Sequence, residues 1–136
     1  MRNYKHKVNY YETDKMGITH HSNYVRFMEE ARVDFMEQMG WGYDKMEEQG
    51  IISPVVGINC NFKNTTTYPD VIEISLAVKK ISAAKLVMCY EMTSNGKTVC
   101  TAESSHCFLS KEGRPMIIER ALPEFYKALT EYLIEE

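Results

Sequence analysis

Between Tyr10 and Tyr24 the chain reads YYETDKMGITHHSNY, a stretch that carries a carboxylate at Asp14, a glycine at Gly17 and adjacent imidazoles at His20 and His21. A carboxylate can serve as a general base toward water or attack as a nucleophile itself, and an imidazole can orient it or hold the water. A lone aspartate in a loop is more often a turn former or a helix cap. Here it shares one short segment with both imidazoles, between an expected strand and an expected helix, where active sites tend to lie.

Other groups are weaker candidates. His106 and Cys107 are neighbours in an expected strand, so their side chains point to opposite faces and cannot form a nucleophilic dyad. His6 has no partner that the sequence identifies. Cys60, Cys89, Cys100 and Cys107 show no CxxC spacing, which argues against a zinc site or a disulfide framework and for reduced core thiols. Neither a metal nor an organic cofactor is expected.

The elements that must position these groups fit one domain spanning 1–136, since 136 residues can bury a single core and composition offers no internal boundary. Net charge is −3, with acids and bases interspersed, so nucleic acid is not an expected partner. The N-terminus lacks a signal-type apolar run, and no stretch approaches the roughly 18 apolar residues of a membrane span. The reading is a soluble, cytoplasmic protein without stable membrane insertion.

A first strand is predicted near Tyr4 to Tyr11. From Asn23 to Met39, Tyr24, Phe27, Met28, Ala31, Phe35 and Met39 recur at helical spacing, with Ser22 as expected N-cap and Gly40 as stop. Val25, Val33 and Met36 widen that apolar surface, as in a helix wrapped by a sheet. A short helix is expected near Tyr43 to Gln49.

Extended runs follow. Val56, Ile58, Cys60 and Phe62 share one expected strand face; Ile72, Ile74, Leu76 and Val78 share the next; Leu86, Met88, Tyr90 and Met92 repeat the alternation. Asn95-Gly96 supplies a type I′ hairpin turn into a last strand near Lys97 to Ser110. A turn at Glu112 to Pro115 ends the sheet. A closing helix begins near Pro123, with Leu122, Phe125, Tyr126, Leu129 and Leu133 on one face.

Strand, long buried helix, four antiparallel strands and a terminal helix make an α+β chain with hotdog topology, a five-stranded antiparallel sheet wrapped around a central helix. The loop resembles the acyl-CoA thioesterase branch that includes 4-hydroxybenzoyl-CoA thioesterase and the small thioesterases linked to the Tol-Pal system. Asp14, Gly17, His21, Asn23 and Tyr24 fit that branch position by position, and Phe27, Glu30 and Arg32 continue the match along the helix. Departures are the residue before Thr13, where some relatives carry an extra aspartate, and the Thr19-His20 pair.

The resemblance implies hydrolysis of an acyl-CoA to a carboxylic acid and coenzyme A, with Asp14 as base or nucleophile, and with His21 and Tyr10 also in the site. The start of the helix would polarise the thioester carbonyl, because its first N–H groups lack intrahelical acceptors and carry the positive end of the dipole. Gly17, Asn23 and Tyr24 would approach the substrate. Lys79, Lys80, Lys85, Lys111 and Arg114 are candidate cations for the coenzyme A phosphates, with Lys79, Lys85 and Arg114 preferred.

Phe27, Met28, Val56 and Tyr24 are candidates for the acyl pocket. Relatives join two sheets edge to edge, so a homodimer or tetramer is expected. Two other functions share the fold: a non-catalytic acyl-thioester-binding module, and a hydratase or dehydratase acting on an acyl thioester. The presence of Asp14 weighs against the first.

Overall fold

The computed structural model describes residues 1–134. Its main sheet is formed by β1 (Tyr4–Lys7), β3 (Val55–Phe62), β4 (Val71–Ile81), β5 (Lys85–Ser94) and β6 (Lys97–Cys107), in the order β1-β4-β5-β6-β3 and antiparallel throughout. A two-stranded annex pairs β2 (Ile51–Ile52) with β7 (Leu109–Ser110). The helices are α1 (Asn23–Gln38), α2 (Tyr43–Glu48), α3 (Ile118–Ala121) and α4 (Pro123–Thr130).

Helix α1 forms where the apolar spacing places it, and it buries Tyr24, Phe27, Met28, Ala31, Phe35 and Met36. Those side chains join Ile72, Ile74 and Val78 of β4 and Leu86, Met88, Tyr90 and Met92 of β5 in one core. Burying each large apolar side chain contributes about 1.5–3 kcal/mol, so this contact is the main force that fixes the helix across the sheet. Bulges between Val78 and Lys80 and between Met92 and Thr93 curl the strands around it. The result is the hotdog fold.

Turn chemistry follows the sequence. Asn95 and Gly96 both take positive φ, at 52° and 76°, as a type I′ turn requires, and Gly40 ends α1 at φ 81°. Four expectations change. The first strand stops at Lys7 instead of Tyr11, because the Glu12 carboxylate accepts the Asn9 N–H and folds Tyr10–Glu12 into a 3₁₀ turn.

The last strand divides at Phe108, which is buried, and Leu109–Ser110 leaves the main sheet to pair with Ile51–Ile52. The third change is at α1, which has no Ser22 side-chain cap: Ser22 is already helical, and its N–H donates to His20 Nδ1 at 3.3 Å. Beyond α4 the chain returns to the sheet, where Ile134 N–H donates to Val78 O and Val78 N–H donates to Tyr132 O. Leu133 therefore lies in a bridge to Val78, 41% exposed, and does not extend the apolar face of α4.

β3 is a sheet edge. Its Val56, Ile58 and Phe62 are 59%, 43% and 51% exposed, so the predicted shared face is covered only in part in the protomer, by Met28 against Cys60 and by Tyr24 against Phe62. Among the described residues, no helix is long and apolar enough to cross a membrane.

Candidate active site

The loop from Glu12 to Ser22 is held by backbone and side-chain bonds that begin at a buried acid. Glu12 Oε1 accepts the Asn9 N–H at 2.7 Å and faces His6 Nε2 at 2.8 Å, while the Glu12 carbonyl accepts His20 N–H and Asn23 Nδ2, each at 2.9 Å. His6 also reaches Glu30 of α1, Nδ1 to Oε2 3.3 Å, and its ring lies on Phe27. His6, for which the sequence shows no partner, thus joins strand, loop and helix. Only the alternation of the 3₁₀ turn brings Glu12 inward, which is why sequence reading missed this anchor.

A second anchor is Thr66. Its hydroxyl meets Thr19 Oγ1 at 2.7 Å and Tyr24 OH at 2.8 Å, and its carbonyl accepts Thr19 N–H. Burial raises the Tyr24 pKa against the opposing effect of this bond, so its hydroxyl keeps its proton at neutral pH. Gly17 turns the loop at φ 80°, and its carbonyl accepts Thr67 Oγ1 at 2.6 Å.

Asp14 sits at the mouth of this framework. Its Oδ1 accepts the Met16 N–H at 2.8 Å, and its backbone N–H and C=O close a tight turn with Ile18 and Gly17. The side chain lines a cleft of about 190 Å³ together with His21, Tyr24 and Phe62, and with Asn64 and Thr65 from the segment after β3. Asp14, His21 and Tyr24 are therefore brought together at the start of α1.

The N–H groups of Ser22, Asn23 and Tyr24 donate to His20 and His21, leaving the His21 amide without an acceptor among the described residues. Such a donor beside a carboxylate and a positive helix end can polarise a carbonyl oxygen.

Other expected site residues lie elsewhere. Tyr10 is 77% exposed and packs edge-on against Tyr68, outside the cleft, because the 3₁₀ turn swings it out as Glu12 turns in. Asn23 ties α1 to Glu12 and so positions the helix. Phe27 and Met28 are core residues, and Val56 lies on the open β3 edge.

Lys79, Lys85 and Arg114 are not brought to Asp14 within the protomer. The loop adjoins the start of β4 through Thr67 and Asp70, whereas Lys79 lies near the far end of that strand in an ion pair with Glu103. Lys85 pairs opposite Cys107, and Arg114 follows in the turn after β7, at that same end. Lys15 and Lys63 are exposed cations that flank cleft residues in the chain.

His106 is buried with Ser104, Nε2 to Oγ 2.7 Å, and does not engage Cys107. All four cysteines are free. Among the described residues no cluster of three or more His, Cys, Asp or Glu is placed to hold a metal ion.

A hotdog protomer with a carboxylate in a cleft at the head of its central helix has the groups that thioester hydrolysis calls for. The Thioesterase-like superfamily pattern matches residues 8–132. An Aquifex aeolicus protein described as a candidate esterase is 34% identical over 124 residues, covering 91% of this chain and 96% of its own. YneP of Bacillus subtilis, described as a candidate acyl-CoA thioesterase, is 33% identical over 124 residues, 90% of each chain.

The crystal structure of a DHNA-CoA thioesterase from Staphylococcus aureus superposes with a TM-score of 0.90 at 32% identity, over 96% of this chain and 89% of that one. The chain belongs to the thioesterase-like superfamily and is an enzyme of the thioester hydrolase class.

Proposed function

We propose that the protein hydrolyses acyl-CoA thioesters to a carboxylic acid and coenzyme A, with Asp14 as the reacting carboxylate. The observation that carries this is the position of Asp14 in one cleft with His21 and Tyr24, at the amide end of α1. A thioester carbonyl seated there directs its oxygen to the His21 amide. Asp14 then takes a proton from an attacking water, or adds directly to the carbonyl carbon to give an anhydride that water opens. In either route the C–S bond breaks, and the thiolate leaves and is protonated.

The branch linked to Tol-Pal is part of the same proposal, on the spacing of Asp14, Gly17, His21, Asn23 and Tyr24, as is a cytoplasmic location, which suits four free thiols.

The working unit in this reading is at least a dimer joined through β3. That strand reads VVGINCNF, an eight-residue edge without charge or proline, the devices by which sheet edges resist pairing. Its exposed Val56, Ile58 and Phe62 supply the apolar surface that a second copy would cover. Thiol release from a panel of short, long and aromatic acyl-CoAs tests the reaction. Asp14→Asn is expected to lower turnover about a thousandfold with the fold retained, and parent-like turnover in that variant overturns the assignment.

A further inference from the structure

Three sulfur atoms meet on the inner face of the sheet, close to its open edge. Cys60 of β3 stands opposite Ala102 of β6, and Phe62 stands opposite Cys100, so Cys60 and Cys100 are diagonal neighbours on one face. Met28 of α1 packs onto the same spot, and the Cys60 thiol donates to its Sδ at 3.6 Å. The Cys100 thiol lies within hydrogen-bond reach of Cys60 Sγ. Two strands and the central helix each contribute one sulfur.

Cys100 and Met28 are fully buried, and Cys60 is half-buried at the edge. The other two cysteines lie on the opposite face of the sheet, where Cys89 donates to Ala77 O and Cys107 follows the buried His106. Single core thiols are ordinary space-filling residues. Two thiols converging on a thioether can do more, because each sulfur carries a lone pair for a shared partner.

Distance decides between the two reactions open to such a pair. A disulfide needs sulfurs about 2.05 Å apart and Cα atoms roughly 4.4–6.8 Å apart, whereas diagonal neighbours on antiparallel strands stand about 7–8 Å apart. The ladder from Gly57 to Phe62 holds β3 and β6 in that register and opposes closure. Two ligands of one metal ion need no such approach. With a metal–sulfur distance of about 2.3 Å and angles of about 110–120°, their sulfurs lie about 3.8–4.0 Å apart. The separation of Cys60 and Met28 is already close to that.

Ligand type decides which ion. Thiolate and thioether sulfurs are soft donors, and together they favour monovalent copper over calcium, magnesium or manganese. Structural zinc takes four nitrogen, oxygen or thiolate ligands, and among the described residues no further His, Cys, Asp or Glu joins the two cysteines.

We propose that Cys60, Cys100 and Met28 form a three-sulfur binding site for Cu(I). The ion displaces the two thiol protons to solvent, and the two thiolates and the thioether donate electron pairs to it without change of oxidation state. In the free protein burial raises both thiols, so the site stays protonated until the ion arrives and proton release is part of binding. Entry is from the half-exposed side of Cys60. The site borders the Asp14 cleft, because Phe62, opposite Cys100, also lines that cleft. It does not depend on the thioesterase reading.

The test uses the whole chain, reduced and anaerobic, titrated with Cu(I) against the coloured competitor bicinchoninate. The parent is expected to take one Cu(I) per chain, with X-ray absorption showing sulfur neighbours alone. Cys60→Ala and Cys100→Ala are each expected to weaken binding by about a hundredfold or more, and Met28→Leu, which keeps the core volume, by about tenfold. The double variant Cys89→Ser, Cys107→Ser is expected to bind as the parent does. Should Cys100→Ala not fold, Cys60→Ala at the half-buried edge and Met28→Leu carry the test.

A parent that leaves Cu(I) with the competitor overturns the proposal, as do parental affinity in Cys60→Ala, oxygen or nitrogen neighbours around the copper, and binding lost in the Cys89, Cys107 variant. A protein that binds Cu(I) but cleaves no thioester overturns the proposed function alone, whereas an active thioesterase that takes no Cu(I) overturns this inference alone.

Discussion

Removing the Glu12 carboxylate is expected to loosen the catalytic loop and destabilise the whole domain. The side chain is buried and accepts two hydrogen bonds, from Asn9 N–H at 2.7 Å and from His6 Nε2 at 2.8 Å. Hydrogen bonds to a charged group contribute about 1.5–3 kcal/mol each, and stranding the partner of a buried pair costs about 3–5 kcal/mol. Glu12→Ala leaves both a buried imidazole and a half-buried amide without that acceptor, so about 3–5 kcal/mol is expected.

In a domain of this size each kcal/mol shifts the melting temperature by roughly 3 °C, which gives a fall of about 10–15 °C. Glu12→Gln keeps an acceptor for Asn9 and loses only the charge, for a fall of about 3–6 °C. Thermal melts followed by circular dichroism at neutral pH read both. The reasoning fails if Glu12→Ala melts within about 3 °C of the parent, or if Glu12→Gln melts below Glu12→Ala.

Two further outcomes follow from buried titratable groups. Burial, with the Arg32 charge second, lowers the His106 pKa from 6.5 to about 4, so below pH 6.5 the unfolded chain takes up a proton that the folded chain refuses until about pH 4. Stability is therefore expected to fall by about 2–3 kcal/mol between pH 7 and pH 4.5 in urea titrations, and by visibly less in His106→Gln; parallel curves for the two proteins would contradict this. Burial, then the neighbouring Cys60, raises the Cys100 thiol to about 12, so iodoacetamide at pH 8 should leave Cys100 unmodified in the native protein and label it after denaturation. Native labelling of Cys100 at the rate of a free thiol would refute that.

The fold was legible wherever local pattern and burial agree. The period-two runs of β4 and β5, the Asn95-Gly96 turn and the apolar stripe of α1 each state their own geometry, and the structure follows them. The Asp14 to Tyr24 stretch was legible because its parts lie close in sequence. What sequence could not show is contact across distance. Thr66 reaches Thr19 and Tyr24 over separations of 47 and 42 residues, and nothing in a threonine announces this. Tyr10 lies outside the cleft of its own protomer because its side chain follows a 3₁₀ turn, in which a strand's alternation no longer holds. Lys79, Lys85 and Arg114 lie away from Asp14 within the protomer, and the primary sequence does not say which end of the sheet faces the loop.

The protomer keeps two features that are unfavourable in isolation: an uncharged sheet edge, and half-exposed apolar residues along it. Such conflicts concentrate where function demands them. The antiparallel self-pairing of β3 that the proposed function invokes would relieve both, pairing the edge and covering Val56, Ile58 and Phe62. Because Phe62 also lines the Asp14 cleft, the same pairing would set that cleft beside the second copy.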